Sequence, residues 1–279
     1  MRIDEARIDA VAAAWGTVDA PLLDPDRHFL EGSREEVAAY ILTLSTINFG
    51  SGWFPTLRKR IGPGGRPVSG YFTVAMGLAE RFRANGPWPA PELRGLTTVE
   101  VAAVLGQPAD HELMAIYAQA LRTLGTFLQD RDPLDVVDEA DGSAERLATT
   151  LAGGMALFAD RGFYKRAQIT GSDLALAGCA EFTDLDRLTI FADNLVPHVL
   201  RCDGVLVYEP ELAALVDSGA LLAPGRRERE IRAGAVHACE LLAARLDVAP
   251  RVLDHWLWNR GQAPEYKARP RHRCRTVFY

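Results

Sequence analysis

Apolar residues recur along this chain at intervals of three and four, in Ala-rich and Leu-rich segments, while strict alternation of β-branched residues is almost absent. That pattern predicts a mainly α protein. Ser33 followed by Glu36 fits a capping box, and Val37, Tyr40, Ile41 and Leu44 then repeat at helical spacing up to Asn48. This helix delivers Ile47-Asn48-Phe49 to its C-terminal end. Further helices are expected over residues 71–84, 98–105 and 113–127, separated by the Pro-rich segment 87–91 and by Gln107-Pro108. The Gly- and Pro-rich stretch 61–70 lacks the Gly-Lys-Ser/Thr ending of a phosphate loop and is predicted to be an exposed turn. The acidic stretch 130–141 is predicted to be a loop between two packed lobes, so that a single domain over residues 1–279 divides near 130–142.

Helical spacing returns over residues 144–158 and breaks at 162–169, where aromatics stand beside Lys165 and Arg166. Residues 183–200 are predicted to be helical, with Leu188, Phe191 or Ala192, Leu195 and Val199 on one apolar stripe that Pro197 interrupts. A helix over 227–246 is expected to bury Ile231, Ala235, Ala238, Leu242 and Leu246 and to end before Pro250. A last short helix is expected over 252–258, followed by an irregular, basic tail.

With 279 residues of which 48% are hydrophobic, the chain is long enough to bury a large core, which excludes disorder. Its formal net charge of -6 implies no general polyanion-binding surface, and no stable nucleic-acid complex is expected. The four cysteines are dispersed, without Cys-x-x-Cys spacing or a His partner at zinc-ligand spacing, as in reduced cytosolic thiols. The charged first residues do not form a signal peptide and no apolar run is long enough to span a bilayer, so a cytoplasmic protein is expected.

Several residues have types and settings suited to chemistry. Pro197 has no N–H for the carbonyl of Asp193, so a helix through this segment should kink or open there and expose a carboxylate beside Phe191. A carboxylate so placed suits a sugar ring that gains positive charge at its transition state; the competing reading is an Asp paired with a neighbouring Arg. In the run Arg226-Arg227-Glu228-Arg229-Glu230-Ile231-Arg232, Glu228 and Arg232 can pair at i,i+4. A carboxylate of that turn either is solvated or faces a pocket. Asp254 precedes Trp256 and Trp258, which suit a core edge or a stacking platform. Lys165 and Arg166, or the tail cluster Lys267, Arg269, Arg271, His272, Arg273 and Arg275, suit a phosphate or simply water. Asn48, Phe49 and Trp53 suit a small-molecule pocket or a helix end with aromatic packing. No His-Glu-x-x-His, Gly-x-Ser-x-Gly, dinucleotide fingerprint or metal-ligand cluster is present, which leaves carboxylate chemistry without a cofactor or metal.

Five segments in this order resemble the queuosine salvage family: Ile47-Asn48-Phe49-Gly50-Ser51, the run from Phe163 to Ile169, Thr189-Ile190-Phe191-Ala192-Asp193 with Val196-Pro197, Glu228-Arg229-Glu230-Ile231-Arg232, and Asp254-His255-Trp256-Leu257-Trp258. The resemblance spans nearly the whole chain. It implies a two-lobed all-helical fold similar to helix-hairpin-helix DNA glycosylases, and an N-glycosidase that releases queuine and ribose 5-phosphate from queuosine 5'-phosphate. Asp193 is then the catalytic carboxylate. Glu230 or Asp254 would read the base, Phe49, Phe191 or Trp258 would stack on it, Lys165 with His272 or nearby arginines would hold the phosphate, and Asn48 would line the pocket. Asn194-Leu195 departs from the family pattern, which leaves those two side chains without an implied role. The rival readings are a glycosylase acting on a base in DNA or RNA, and a non-catalytic protein that binds a modified nucleoside.

Overall fold

A computed structural model describes residues 1–19, 21–62 and 65–279. Its helices are α1 (Glu5–Trp15), α2 (Arg34–Ile47), α3 (Gly70–Asn85), α4 (Ala90–Gly95), α5 (Thr98–Leu105), α6 (Glu112–Leu128), α7 (Pro133–Asp138), α8 (Ala144–Gly154), α9 (Lys165–Leu176), α10 (Val196–Cys202), α11 (Pro210–Asp217), α12 (Arg226–Leu246), α13 (Pro250–Arg260) and α14 (Pro264–Lys267). The strands are only two residues long: β1 (Arg2–Ile3) pairs antiparallel with β2 (Leu206–Val207), and β3 (Leu221–Leu222) pairs parallel with β4 (Arg273–Cys274). The protein is therefore mainly α, as its hydrophobic spacing predicts. No helix among the described residues is long and apolar enough to cross a membrane.

The chain divides into two units: Met1–Pro21 with Asp186–Val277 and Tyr279, and Leu22–Leu185 with Phe278. In the second unit α2 is central. Every residue from Val37 to Ile47 is buried, as befits a helix surrounded by others, and α3, α6, α7 and α9 pack around it. Its start is the predicted capping box: Ser33 Oγ accepts from the Glu36 amide and Glu36 from the Ser33 amide, worth about 1 kcal/mol. Two buried tyrosines tie neighbours to it, Tyr40 Oη donating to the Ala75 carbonyl at 3.1 Å and Tyr117 Oη to the Phe49 carbonyl at 2.6 Å.

Two expectations are corrected here, and a third, the exposed Gly-rich turn, is shortened at its end. The acidic stretch predicted as an inter-lobe loop contains α7, whose Pro133 sits in the first turn and whose Leu134, Val136 and Val137 are buried, so its charges ride on a helix that packs against α2. Residues 144–158 form α8 only to Gly154, then a short 3-10 turn at Ala156–Phe158. In the Gly-rich turn, Pro63 and Gly64 lie outside the described residues; Ile61 and Pro67 form a bridge, Ile61 is exposed, and Gly70 already belongs to α3.

In the first unit α12 is the longest helix, and α1, α10 and α13 pack on it. Ile231, Ala235, Ala238 and Leu242 are buried as predicted, while Leu246 at the helix end is half-buried. The helix stops at Asp247, in the left-handed region at φ 53°, three residues before Pro250, which opens α13. The tail is only partly solvated: residues 267–270 and Arg275 are exposed, but the rest turns in. The β3 pairing carries it inward, and His272, Cys274 and Tyr279 are buried.

The largest departure concerns residues 183–200. Apart from a 3-10 turn at Leu185–Arg187, the chain is non-helical until α10 begins at Val196. Pro197 sits in the first turn of that helix and starts it rather than kinking a longer one: a first-turn N–H has no intrahelical partner, so its loss costs little. The apolar stripe is buried all the same, but only Val199 lies on a helix, and Leu188, Phe191, Ala192 and Leu195 precede it.

Candidate active site

Within the first unit, the segment Phe191-Ala192-Asp193-Asn194 is fixed residue by residue. The Phe191 amide donates to Asp254 Oδ1 at 2.9 Å, the Ala192 carbonyl accepts from Arg232 Nε at 2.8 Å, and Asn194 Nδ2 donates to the His272 carbonyl at 3.1 Å. Asp193 Oδ1 accepts from the amides of Leu195 at 2.7 Å and Val196 at 3.1 Å, which satisfies donors that α10 would otherwise leave open. In the run 190–200 every residue is buried except Asp193, which is partly exposed. Its Oδ2 makes no hydrogen bond among the described residues. One oxygen is thus a structural anchor and the other is available.

The surroundings are cationic and aromatic. Burial lowers the proton affinity of Arg271, and the nearby Asp193 carboxylate opposes that shift. The buried Arg232 guanidinium pairs with Glu228 at 3.4 Å and lies 4.7 Å from the centre of the Tyr279 ring. Phe191 meets His255 edge-on at 5.9 Å. His272 is buried, and neither ring nitrogen has a hydrogen-bond partner among the described residues. Burial, reinforced by Arg232, Arg271, His198 and Arg201, pushes its pKa down to about 3. Its imidazole is therefore neutral near pH 7. Among the described residues no group of three or more His, Cys, Asp or Glu side chains is arranged to hold a metal ion.

Asp193, Phe191, Asp254 and His272 are therefore brought together, and Trp258 lies half-buried one turn beyond Asp254 on α13. Glu230 is not among them. It points outward and pairs with Arg226 at 2.6 Å on the surface of α12. The buried carboxylate of that turn is Glu228, which the stripe could have revealed: Glu228 precedes Ile231 by three residues and Ala235 by seven, whereas Glu230 is out of phase. Asn194 also gains a role, since its side chain ties the tail to the Asp193 segment.

In the second unit, Asn48, Phe49 and Lys165 are brought together. Lys165 Nζ donates to the Asn48 carbonyl at 3.3 Å, and both residues are buried. Phe49 is a core side chain here, edge-on to Tyr117 at 5.0 Å and 4.7 Å from the Arg166 guanidinium. Arg166 is no phosphate ligand: wholly buried between Phe49 and Phe158, it donates to the carbonyls of Ser45 and Thr46 at the end of α2 and to that of Leu157. A cation satisfying the last carbonyls of a helix is favourably placed in the helix field. Trp53 is likewise buried. Sequence reasoning missed Asp173 on α9, whose burial raises its pKa to about 7 against the pull of Lys165, and whose Oδ1 has no hydrogen-bond partner among the described residues.

The profile of the family described as queuosine salvage protein matches residues 28–279. The chain belongs to that family. It is 33% identical over 301 aligned positions to a queuosine 5'-phosphate N-glycosylase/hydrolase of Sphaerobacter thermophilus, covering 99% of this chain and 92% of that one. It is 39% identical over 275 positions to the protein of the same name from Dictyostelium discoideum (88% and 79% covered) and 27% identical over 284 to that from Bos taurus (89% and 83%). Asp193 and Asp254 both fall inside the family match, whereas α1, which packs on α12, precedes it.

Proposed function

We propose that this queuosine salvage family member hydrolyses the N-glycosidic bond of queuosine 5'-phosphate, releasing queuine and ribose 5-phosphate, with Asp193 as the catalytic carboxylate. The observation that carries the reading is the state of that side chain: the single partly exposed residue of a buried run, with Oδ1 fixed by two amides and Oδ2 unengaged. The names of the relatives supply the substrate.

The chemistry suits a fixed anion. As the bond between the anomeric carbon and the base nitrogen breaks, its electron pair leaves with the base and the sugar becomes oxocarbenium-like. A carboxylate already in place stabilises that charge without reorganising. Water adds to the anomeric carbon and loses a proton, and the departing base gains one, so the step is balanced. Because the base is a 7-deazaguanine, it has no N7 lone pair to protonate, and contacts to the rest of the ring must stabilise the leaving group. Asp254 is committed to the Phe191 amide through Oδ1, and Trp258 follows one turn later on the same helix.

Asp193→Asn tests this cleanly, because an amide oxygen can still accept the Leu195 and Val196 amides while the charge is lost. Turnover, followed by chromatography and mass spectrometry of released queuine, should fall on the order of 10²–10³-fold with little change in KM. Wild-type turnover in the variant would assign the chemistry to another residue, and no queuine release by the wild type would remove the reaction itself.

A further inference from the structure

We infer that Arg232 is a positioning residue for the Asp193 carboxylate, acting through the Ala192 carbonyl rather than on substrate. The inference rests on the reading of Asp193 given above and goes beyond it. Arg232 is among the most deeply buried side chains of the protein, and a buried cation is costly unless its surroundings answer it. Here the answers are specific. Nε donates to the Ala192 carbonyl at 2.8 Å, Nη1 faces Glu228 at 3.4 Å, and the planar face lies against Tyr279 at 4.7 Å. A neutral donor would satisfy one carbonyl at far less desolvation cost, so satisfaction alone does not account for a guanidinium at this place.

The contact fixes the carbonyl of the peptide that joins Ala192 to Asp193. Asp254 holds the peptide one step earlier, and the α10 amides hold Oδ1 from the other side. With Arg232 in place, the direction in which the free oxygen points is set by three elements at once. Without it, the Ala192–Asp193 peptide is free to rotate and the carboxylate moves with it. A group that acts mainly in the transition state should register this in kcat and much less in KM.

The test compares wild type, Asp193→Asn and Arg232→Lys on queuosine 5'-phosphate, with the folded fraction of each measured by circular dichroism at the assay temperature. Lysine keeps the charge but has no planar fork, so it cannot serve the Ala192 carbonyl, Glu228 and the Tyr279 face together. Per folded molecule, kcat of Arg232→Lys should fall about 10–100-fold while KM stays within about threefold, the penalty expected of a misplaced group. A purely structural role would lower only the folded fraction. If Arg232→Lys does not fold, Tyr279→Leu serves: it releases the guanidinium face and should lower kcat about three- to tenfold at constant KM, as weaker positioning would. Unchanged kcat in the folded variant, or a fall matched by an equal rise in KM, overturns the inference. An inactive wild type, or a fully active Asp193→Asn, would instead remove the underlying reading.

Discussion

Replacing His272 by Asn should change how the stability of the protein depends on pH, and the size of that change follows from the structure. The imidazole is buried beside Tyr279, with Arg232, Arg271, His198 and Arg201 near enough to oppose a further positive charge. Burial and these cations hold its pKa at about 3, against 6.5 for an exposed histidine. Because the folded value is the lower one, the unfolded chain takes up the proton first as pH falls. The contribution of His272 is therefore present above pH 6.5 and is lost as the pH drops towards 3. Between pH 7 and pH 5 the native ring stays neutral while the unfolded one becomes almost fully charged, a loss of about 2 kcal/mol. His255, lowered to about 4 by burial and Arg251, acts in the same direction. Asp173, raised to about 7 by burial, acts in the opposite one, since its native form gains a proton in this window. The wild-type curve alone is thus not diagnostic, whereas its difference from His272→Asn is. Urea unfolding followed by circular dichroism should show the stability gap between the two proteins narrowing by about 2 kcal/mol from pH 7 to pH 5. Parallel curves would mean that the ring is charged or solvated in the native state, and the account of a neutral His272 would fail.

Two further substitutions separate structural from functional cations and carboxylates. Arg166→Met should destabilise the protein by about 3–5 kcal/mol, because it leaves the carbonyls of Ser45, Thr46 and Leu157 buried without their donor; thermal unfolding measures this, and a near-wild-type midpoint would contradict the capping role. Glu230→Ala should leave both the unfolding midpoint and kcat/KM unchanged, since it removes only a surface pair with Arg226; a clear loss of kcat/KM would restore Glu230 as a reader of the base.

What the sequence makes legible is where local signals and packing agree. The capping box at Ser33 and Glu36, the start and end of α5, and the α12 stripe through Ile231 and Ala235 are all found within a residue or two, because caps and amphipathic spacing act over a single turn. Pro197 is different. The same residue is compatible with a kink inside a long helix and with the first turn of a short one, and what decides is the Asp193 side chain, which takes the Leu195 and Val196 amides for itself. Asp193 thus stands out in the sequence, but the helix expected to carry it is replaced by a non-helical segment that ends at α10. The tail was illegible for another reason: its burial depends on pairing with Leu221 and Leu222, some fifty residues away, and no local pattern encodes that partner.

The anchors of the Asp193 segment explain why distant parts of the sequence share one resemblance. Asp254 comes from α13, Arg232 from α12, the amides from α10, and the His272 carbonyl from the tail beside β4. Each makes one hydrogen bond or a pair of them, so loss of any one leaves the others in place, and the segment should shift rather than unfold. Substitutions at Arg232, Asp254 and Asn194 should accordingly resemble one another in kcat although they lie on different elements. Glu230, two residues from Arg232 in sequence but facing the other way, should not.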